Sequence, residues 1–283
     1  MPSVPHTTPA ALRHPRLPAR AGRRTWPALQ VAVAAWMSVA MVGQLIFAAY
    51  VISLYGGGAA AGQLAQWNRV TPRAWLPGET LGNVLFGSHV LLTVVVVVGG
   101  IVQLVPALRR RAPALHRWNG RLYLLASVVL ALGGLAMILT RGTVGGVWQQ
   151  VGTALNGGVI LVCAAMAWRH ARARRLDAHR RWALRLFLSV SGVWFFRIGL
   201  MAWLLAFQAP VGFDPKTFSG PFLTLLAFAQ FALPLLVLEL VFRAQANPSP
   251  GLRRATTWLV GLMTLLTAVG IAGATLGMWL PRM

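Results

Sequence analysis

Seven long apolar runs, separated by arginine-rich connections, constrain this chain more than any other feature of its sequence. A helix needs roughly 20 predominantly apolar residues to cross about 30 Å of hydrocarbon, and runs of about that length cover most of the chain after residue 27. We therefore predict an all-α fold, a polytopic transmembrane helical bundle of about seven spans. The predicted spans are 28–50, 81–105, 118–139, 148–169, 183–207, 220–242 and 255–280.

The charge of the chain is unusual and excludes an ordinary soluble domain. The 283 residues include 26 basic and 4 acidic side chains, and 57% of the residues are hydrophobic. Soluble domains balance their charges and carry fewer apolar residues. The basic residues lie in short clusters between the apolar runs instead of along one soluble face, so we expect no nucleic-acid partner.

The distribution of arginine predicts the orientation, because short loops rich in Arg and Lys stay on the cytoplasmic side. About twenty arginines lie in the N-terminal segment and in the second, fourth and sixth connections, whereas five basic residues lie on the opposite side. We predict that the N-terminus is inside, that the C-terminus is outside, and that the protein is a multi-pass protein of a bacterial inner membrane. Residues 1–27 are basic, rich in proline and poor in apolar side chains, so we expect a disordered cytoplasmic arm before a transmembrane domain over 28–283.

One basic, aromatic phrase occurs twice, as LHRWNGRLYL at 115–124 and as AHRRWALRLFL at 178–188. Each copy opens a span that runs from the inside to the outside. We interpret the phrases as the mark of two related hairpins, spans two plus three and spans four plus five, which form a four-helix core. The matching residues are Arg117, Trp118, Arg121, Leu122, Tyr123 and Leu124, and Arg181, Trp182, Arg185, Leu186, Phe187 and Leu188.

These phrases, with Gln103 upstream in QLVPALRRRAPALHRWNGRLYL, resemble a bacterial family of predicted membrane proteins that is catalogued as domain of unknown function 2306. The resemblance covers the central four spans, residues 81–205. It implies a polytopic membrane protein and no established activity.

Counting depth along each span at 1.5 Å per residue places one polar residue from each of five spans in the outer half of the bilayer. Polar groups at such depth are costly and usually face the bundle interior. From His89, the residues Thr93, Gly100 and Gln103 fall on one helical stripe, which indicates that His89 points inward. We take this outer polar layer as the candidate ligand-binding site. Its members are His89, Arg197, Asn156, Gln230 and Gln44.

Arg197 constrains the function of this layer most strongly. A guanidinium stays protonated even when it is buried, so it cannot avoid the cost of burying a charge. All four acidic residues are predicted near span ends or in loops. Arg197 must therefore find amide or carbonyl acceptors, extend outward toward Glu79, or meet an anionic group that the chain does not supply. The last alternative is the functional one.

A second cluster lies at the inner interface, and its members are His116, Arg117, Arg121, His179, Arg185 and Gln103. Trp and Arg at this depth are typical of interfacial anchoring and of contact with anionic lipid headgroups. The histidines are not explained by topology. If the two hairpins face each other, His116 and His179 could ligate the iron of a haem b, with arginines on its propionates.

Three functions remain open at this stage. Our leading prediction is membrane-embedded binding or transport of an anionic or quinone-like small molecule at the outer layer, although no span shows a break typical of a transporter site. The alternatives are b-type haem electron transfer at the inner histidines and a structural or assembly role. An enzyme is less favoured, because there is no nucleophile motif, no paired intramembrane carboxylates and no metal-binding motif.

Overall fold

The computed structural model describes residues 28–142, 144–247 and 249–283, so the predicted arm at 1–27 lies outside the described residues. The described chain is almost entirely helical. Its α-helices are α1 (Ala28–Val51), α2 (Gly57–Ala60), α3 (Thr80–Leu104), α4 (Pro106–Arg111), α5 (Pro113–Arg141), α6 (Val147–Arg172), α7 (Leu176–Val190), α8 (Gly192–Phe207), α9 (Pro221–Ala246) and α10 (Pro250–Ala274).

The prediction of an all-α, polytopic membrane protein is confirmed. Among the described residues, six helical stretches are long and apolar enough to cross a bilayer. A seventh span arises only if α7 and α8 are taken together. The orientation remains a prediction, and we call the side that carries the 115–124 and 178–188 phrases the inner side.

The two hairpins pack as the repeated phrase suggests. Helix α3 runs along α5, α6 runs along α7, and α5 joins the two pairs through its contact with α6. The aligned residues Tyr123 and Phe187 both close on Gly100 of α3, where an added Cβ would lie 3.1 Å from the first ring and 3.2 Å from the second. Because Gly100 has no side chain, the two copies of the phrase can meet at one point of the core.

A second group of helices completes the bundle on the other side. Helix α8 packs mainly against α10 and α9, and α10 packs along α1. The predicted fifth span was expected to be one continuous helix, and that expectation is wrong. Its first half, α7, belongs to the hairpin core, whereas its second half, α8, turns away to pack on α10 and α9.

Arg141, at the outer end of α5, fastens the outer loop that precedes α3. Its guanidinium lies 3.0 Å from a carboxylate oxygen of Glu79 and 3.0 Å from Oδ1 of Asn83. It also donates to the backbone carbonyls of Arg73 and Ala74. These contacts bind the loop to the hairpin core and occupy the carboxylate of Glu79.

Candidate functional site

The break between α7 and α8 is the most distinctive local feature of the bundle. The two helices meet at Ser191 with an angle of 52° between them. Ser191 has ψ of 2°, far from the value of about −42° in a regular α-helix. Its hydroxyl donates to the carbonyl of Phe187 at 2.7 Å, so the side chain competes with the regular helical hydrogen bonds.

Amide side chains from two other helices bind this break. Nε2 of Gln44, on α1, donates to Oγ of Ser191 at 2.9 Å. Nδ2 of Asn156, on α6, donates to the carbonyl of Ser189 at 3.1 Å. Only 1% of the surface of Gln44 and 6% of that of Asn156 is exposed, so both bonds are buried. Helices α1 and α6 thus supply hydrogen-bond donors to buried polar groups at the break, as buried polar groups require.

Gly192 lets a third amide approach. A Cβ at this position would lie 2.5 Å from Nδ2 of Asn156 and 3.5 Å from Oε1 of Gln230, which is buried on α9. Gln230 donates to Ala227 of its own helix, and Pro234 has no N–H for the carbonyl of Gln230. Three helices therefore bring amides to the break, and a side chain at position 192 would displace at least one.

Two buried polar atoms near the break make no hydrogen bond among the described residues. Oδ1 of Asn156 and Oγ of Ser189 are buried without a partner among the described residues. Nearby, a cavity of about 30 Å³ lies within the bundle, large enough for about one water molecule. Gln44, Thr93 and Ser191 give it polar lining, and its apolar lining includes Phe47 and Trp194.

Arg197 lies on α8, about one and a half turns beyond the break and about 15 Å along the helix from its end at Phe207. Its guanidinium carbon lies 5.4 Å from the centroid of the Phe47 ring, and Nη1 lies 3.4 Å from the carbonyl of Val193. Within the described part of the chain, no carboxylate lies within 4 Å of it. Glu79 pairs with Arg141, so the alternative in which Arg197 reaches Glu79 is wrong.

Sequence reasoning missed a set of donors beside Arg197. The hydroxyl of Tyr50 and the indole Nε1 of Trp279 are buried without a partner among the described residues, and both side chains are fully buried. The two rings stack with centroids 6.2 Å apart. The ring of Tyr55 lies edge-on to that of Tyr50, with centroids 6.5 Å apart. Arg282, exposed beyond Trp279, donates to the carbonyl of Met278 at 2.7 Å. Aromatic side chains near span ends resemble an ordinary interfacial belt in sequence, which is why these donors gave no signal.

Two π-helical segments adjoin these donors, Ile52–Gly56 after α1 and Thr275–Trp279 after α10. Such segments are rare and often occur at functional sites. We call Arg197, Tyr50, Trp279 and Arg282 the outer donor cluster.

His89 lies in a different part of the molecule. Its ring packs on α5, where Cβ atoms at Gly133 and Gly134 would lie 3.4 Å and 3.3 Å from it. Its Nδ1 is buried without a partner in the described structure. The stripe through His89 faces the protein, since Thr93 lines the cavity and Gln103 donates to the carbonyl of His116. The outer layer is thus divided: Gln44, Asn156 and Gln230 meet at the break, Arg197 joins the outer donor cluster, and His89 stands apart on the α3 and α5 hairpin.

The repeated phrases adopt the same local geometry at the inner interface. The guanidinium of Arg121 lies 4.8 Å from the ring of Trp118, and that of Arg185 lies 4.7 Å from the ring of Trp182. Each is a cation–π contact between residues three apart on a helix. Arg185 also binds Glu239 of α9, with Nη2 at 2.6 Å. The first copy has no such acid, and Arg117 and Arg121 are exposed.

The inner histidines lie at the inner ends of three helices, His116 on α5, His170 on α6 and His179 on α7. Nδ1 of His179 donates to the carbonyl of Ala167 at 2.9 Å. The Nδ1 atoms of His116 and His170 are buried without partners among the described residues. His116 lies within electrostatic range of His179. No group of three or more potential metal ligands occurs in the described residues, so only a two-histidine site is open to consideration.

Comparison with known proteins identifies the family of this chain. A family model described as predicted membrane protein (DUF2306) matches residues 86–238. The matched segment runs from α3 into α9 and contains both phrases, the break and Arg197. Neither a curated protein nor a solved structure gives a significant match.

Proposed function

The chain belongs to the DUF2306 family of predicted membrane proteins, and from that premise we propose that it binds or transports an anionic small molecule inside the bilayer, at the outer donor cluster. The observation that carries this proposal is Arg197, a permanent cation within a membrane helix that has no carboxylate within 4 Å among the described residues. An arginine near the middle of a membrane helix costs about 2.5–3.5 kcal/mol on insertion scales.

The contacts of Arg197 offset only part of this cost. A cation–π contact contributes about 0.5–1 kcal/mol at an exposed site and about 2 kcal/mol when it is desolvated. A guanidinium has five N–H donors, whereas its one hydrogen bond within the described structure is the long contact with Val193. The remaining donors are available for an acceptor that the protein does not supply.

The neighbours of Arg197 favour an anion over a neutral quinone. The buried O–H of Tyr50 and N–H of Trp279 are donors without partners, and Arg282 adds a second positive charge. Two guanidinium groups beside two neutral donors match the oxygens of a carboxylate or a phosphate. A quinone carbonyl would use the neutral donors and leave the charge of Arg197 uncompensated.

The helix break supplies a mechanism by which such a site could open or close. Discontinuous membrane helices are a recurrent feature of transporter sites, and α7 and α8 are bent by 52° at Ser191. Phe47 lines the cavity beside the break and also stacks under Arg197. Movement at Ser191 would therefore be transmitted directly to the guanidinium.

Benzoate and inorganic phosphate are suitable probes, with benzyl alcohol as the uncharged control for benzoate. We expect one or both anions to raise the unfolding temperature of the protein in lipid nanodiscs, because a ligand at 100 times its Kd stabilises the folded state by about 2.7 kcal/mol. Arg197→Gln should fold and lose this response. Arg69→Gln removes an exposed arginine of the outer loop and should keep it.

The outcomes separate a binding role from a structural one. Loss of the anion response in Arg197→Gln alone supports the proposal. An equal response in both variants, or no anion response in the unmodified protein, contradicts it. If Arg197→Gln fails to fold, Arg197→Lys replaces it in the test, because lysine keeps the charge without the planar set of donors. An anion response of Arg197→Lys as strong as that of the unmodified protein would count against the proposal.

Haem b at the inner histidines is a second candidate, favoured by the hydrogen bond of His179. Donation from Nδ1 to Ala167 fixes the tautomer and leaves Nε2 available for a metal, an arrangement common among metal-bound histidines. His116, within electrostatic range of His179 and with a buried Nδ1 that lacks a partner among the described residues, is the second residue that would hold the iron. A bound haem would supply one-electron chemistry.

A reduced-minus-oxidised absorbance spectrum of protein expressed with haem precursor tests this candidate. We expect a b-type band that His116→Ala and His179→Ala each remove and that His170→Ala retains. A flat spectrum, or a band unaffected by the first two variants, eliminates the inner haem.

A further inference from the structure

A long groove on the lipid-facing surface lies between α6, α7 and α9, away from the outer donor cluster. Its volume is about 710 Å³. Leu155 and Val162, which line it, are 51% and 56% exposed, so the groove opens toward the hydrocarbon of the bilayer. Its lining is apolar except at one end, where Trp182 and Arg185 stand.

The groove crosses the middle of the predicted membrane span. Along α6 its lining runs from Val151 to Cys163, a rise of about 18 Å, and the midpoint of the predicted span 148–169 lies near Gly158. Half of a hydrocarbon core of about 30 Å is about 15 Å, so an acyl chain that enters from the inner side would occupy the inner part of the groove and end near Gly158. Lipid tails elsewhere are equally apolar, however, and hydrophobicity alone would not hold a particular lipid there.

Charged side chains at the inner end of the groove can select a lipid by its headgroup. Arg185 is neutralised by Glu239, which lies 2.6 Å from Nη2. Arg181, one turn before it, shares the ring of Phe242 with Arg185, with distances of 5.1 Å and 5.5 Å to the centroid. Arg181 has no ion-pair partner among the described residues and is exposed. Arg181 is therefore an uncompensated cation at the inner end, where a phosphate would lie, and exposed Arg180 and Arg243 add positive charge nearby.

We propose that this groove binds an anionic phospholipid, with one acyl chain along α6 and the phosphate against Arg181. The stacking of Arg181 on Phe242 holds the cation in place, and the Arg185–Glu239 pair bounds the end of the chain. The site is separate from the outer donor cluster and does not depend on the proposed anion binding there.

Gly158 allows the groove to be filled without disturbing the protein. An added Cβ at Gly158 would meet no atom within 4 Å, so leucine can occupy the groove itself. Gly261, on α10, is equally open and lies outside the groove. Gly158→Leu and Gly261→Leu thus make a matched pair with the same change in size and helix propensity.

Native mass spectrometry of detergent-purified protein, mixed with equimolar phosphatidylglycerol and phosphatidylcholine of identical chains, tests the site. We expect one bound phosphatidylglycerol, preferred about fivefold over phosphatidylcholine, which is the factor for one cation beside an anionic lipid. Gly158→Leu should lose the bound lipid and Gly261→Leu should keep it. Arg181→Gln should abolish the preference while the groove still accepts either lipid.

Equal retention of the two lipids by the unmodified protein would overturn the proposal, as would unchanged binding in Gly158→Leu. Retention of a neutral prenylquinone in place of phospholipid would also overturn it. A lower folded yield of Gly158→Leu than of Gly261→Leu would contradict the open space at Gly158. In that case Arg181→Gln, which alters only an exposed side chain, would decide whether the lipid preference depends on the Arg181 cation.

Discussion

Substitution of Gly270 by alanine should separate α10 from α8 and destabilise the protein. A Cβ at Gly270 would lie 2.5 Å from the carbonyl oxygen of Ile198, the residue after Arg197. The obstacle is backbone, so no side chain can rotate away, and the helices must separate by about 0.9 Å to reach ordinary contact at 3.4 Å. Overpacking of this kind costs about 1–3 kcal/mol.

Gly261→Ala on the same helix is the control, because its Cβ would meet no atom within 4 Å. Both changes gain helix propensity of up to about 1 kcal/mol, so the difference between them isolates the clash. Unfolding free energies from titration with sodium dodecyl sulfate in mixed micelles should place Gly270→Ala about 1–3 kcal/mol below Gly261→Ala. Equal stabilities would refute the close approach of α10 to α8.

Two further predictions concern single contacts. A double-mutant cycle with Gln44→Leu and Ser191→Ala should give a coupling energy of about 0.6–1.7 kcal/mol, the range for hydrogen bonds between membrane helices; additivity within about 0.3 kcal/mol would mean that α1 does not bind the break. Arg141→Gln removes the pair with Glu79 and two donations to the outer loop, so hydrogen exchange should speed up across residues 71–79. An unchanged exchange rate there would show that the loop is held by other contacts.

The spans and the hairpins were predictable because their causes lie within each segment. A run of apolar residues fixes a membrane helix by its length, and the repeated phrase gave the correct pairing of α3 with α5 and of α6 with α7. The depth of each polar residue also follows from its position along a helix. Its direction around the bundle does not, since that depends on which helices are neighbours.

This distinction explains how the outer layer divided. His89 and Arg197 were placed at similar depth by counting residues, yet His89 packs on Gly133 of α5 and Arg197 stacks on Phe47 of α1. Tyr50 was not singled out, because a tyrosine near a span end is typical of the interface. Its buried hydroxyl has no hydrogen-bond partner among the described residues. This follows from how the helices pack around it and cannot be read from its own segment.

The break itself can be traced to particular residues by comparing the two copies of the repeat. Ser127 is the counterpart of Ser191, and each hydroxyl donates at 2.7 Å to the carbonyl four residues earlier. Helix α5 nevertheless continues through Ser127 to Arg141, so the serine alone does not interrupt a helix. The copies differ at the next position, where Val128 follows Ser127 and Gly192 follows Ser191.

Glycine at 192 leaves room for the amide of Asn156, which takes the carbonyl of Ser189 as its acceptor. We infer that the interruption of the second hairpin depends on both a missing side chain on α8 and a donor from α6. Gly192→Ala should thus displace Asn156 while keeping the serine, and Asn156→Leu should remove the donor while keeping the glycine. If the angle between α7 and α8 depends on both residues, backbone amides at residues 189–193 will exchange more slowly in each variant than in the unmodified protein. If the exchange rates change in neither variant, the break results instead from the packing of α8 on α10.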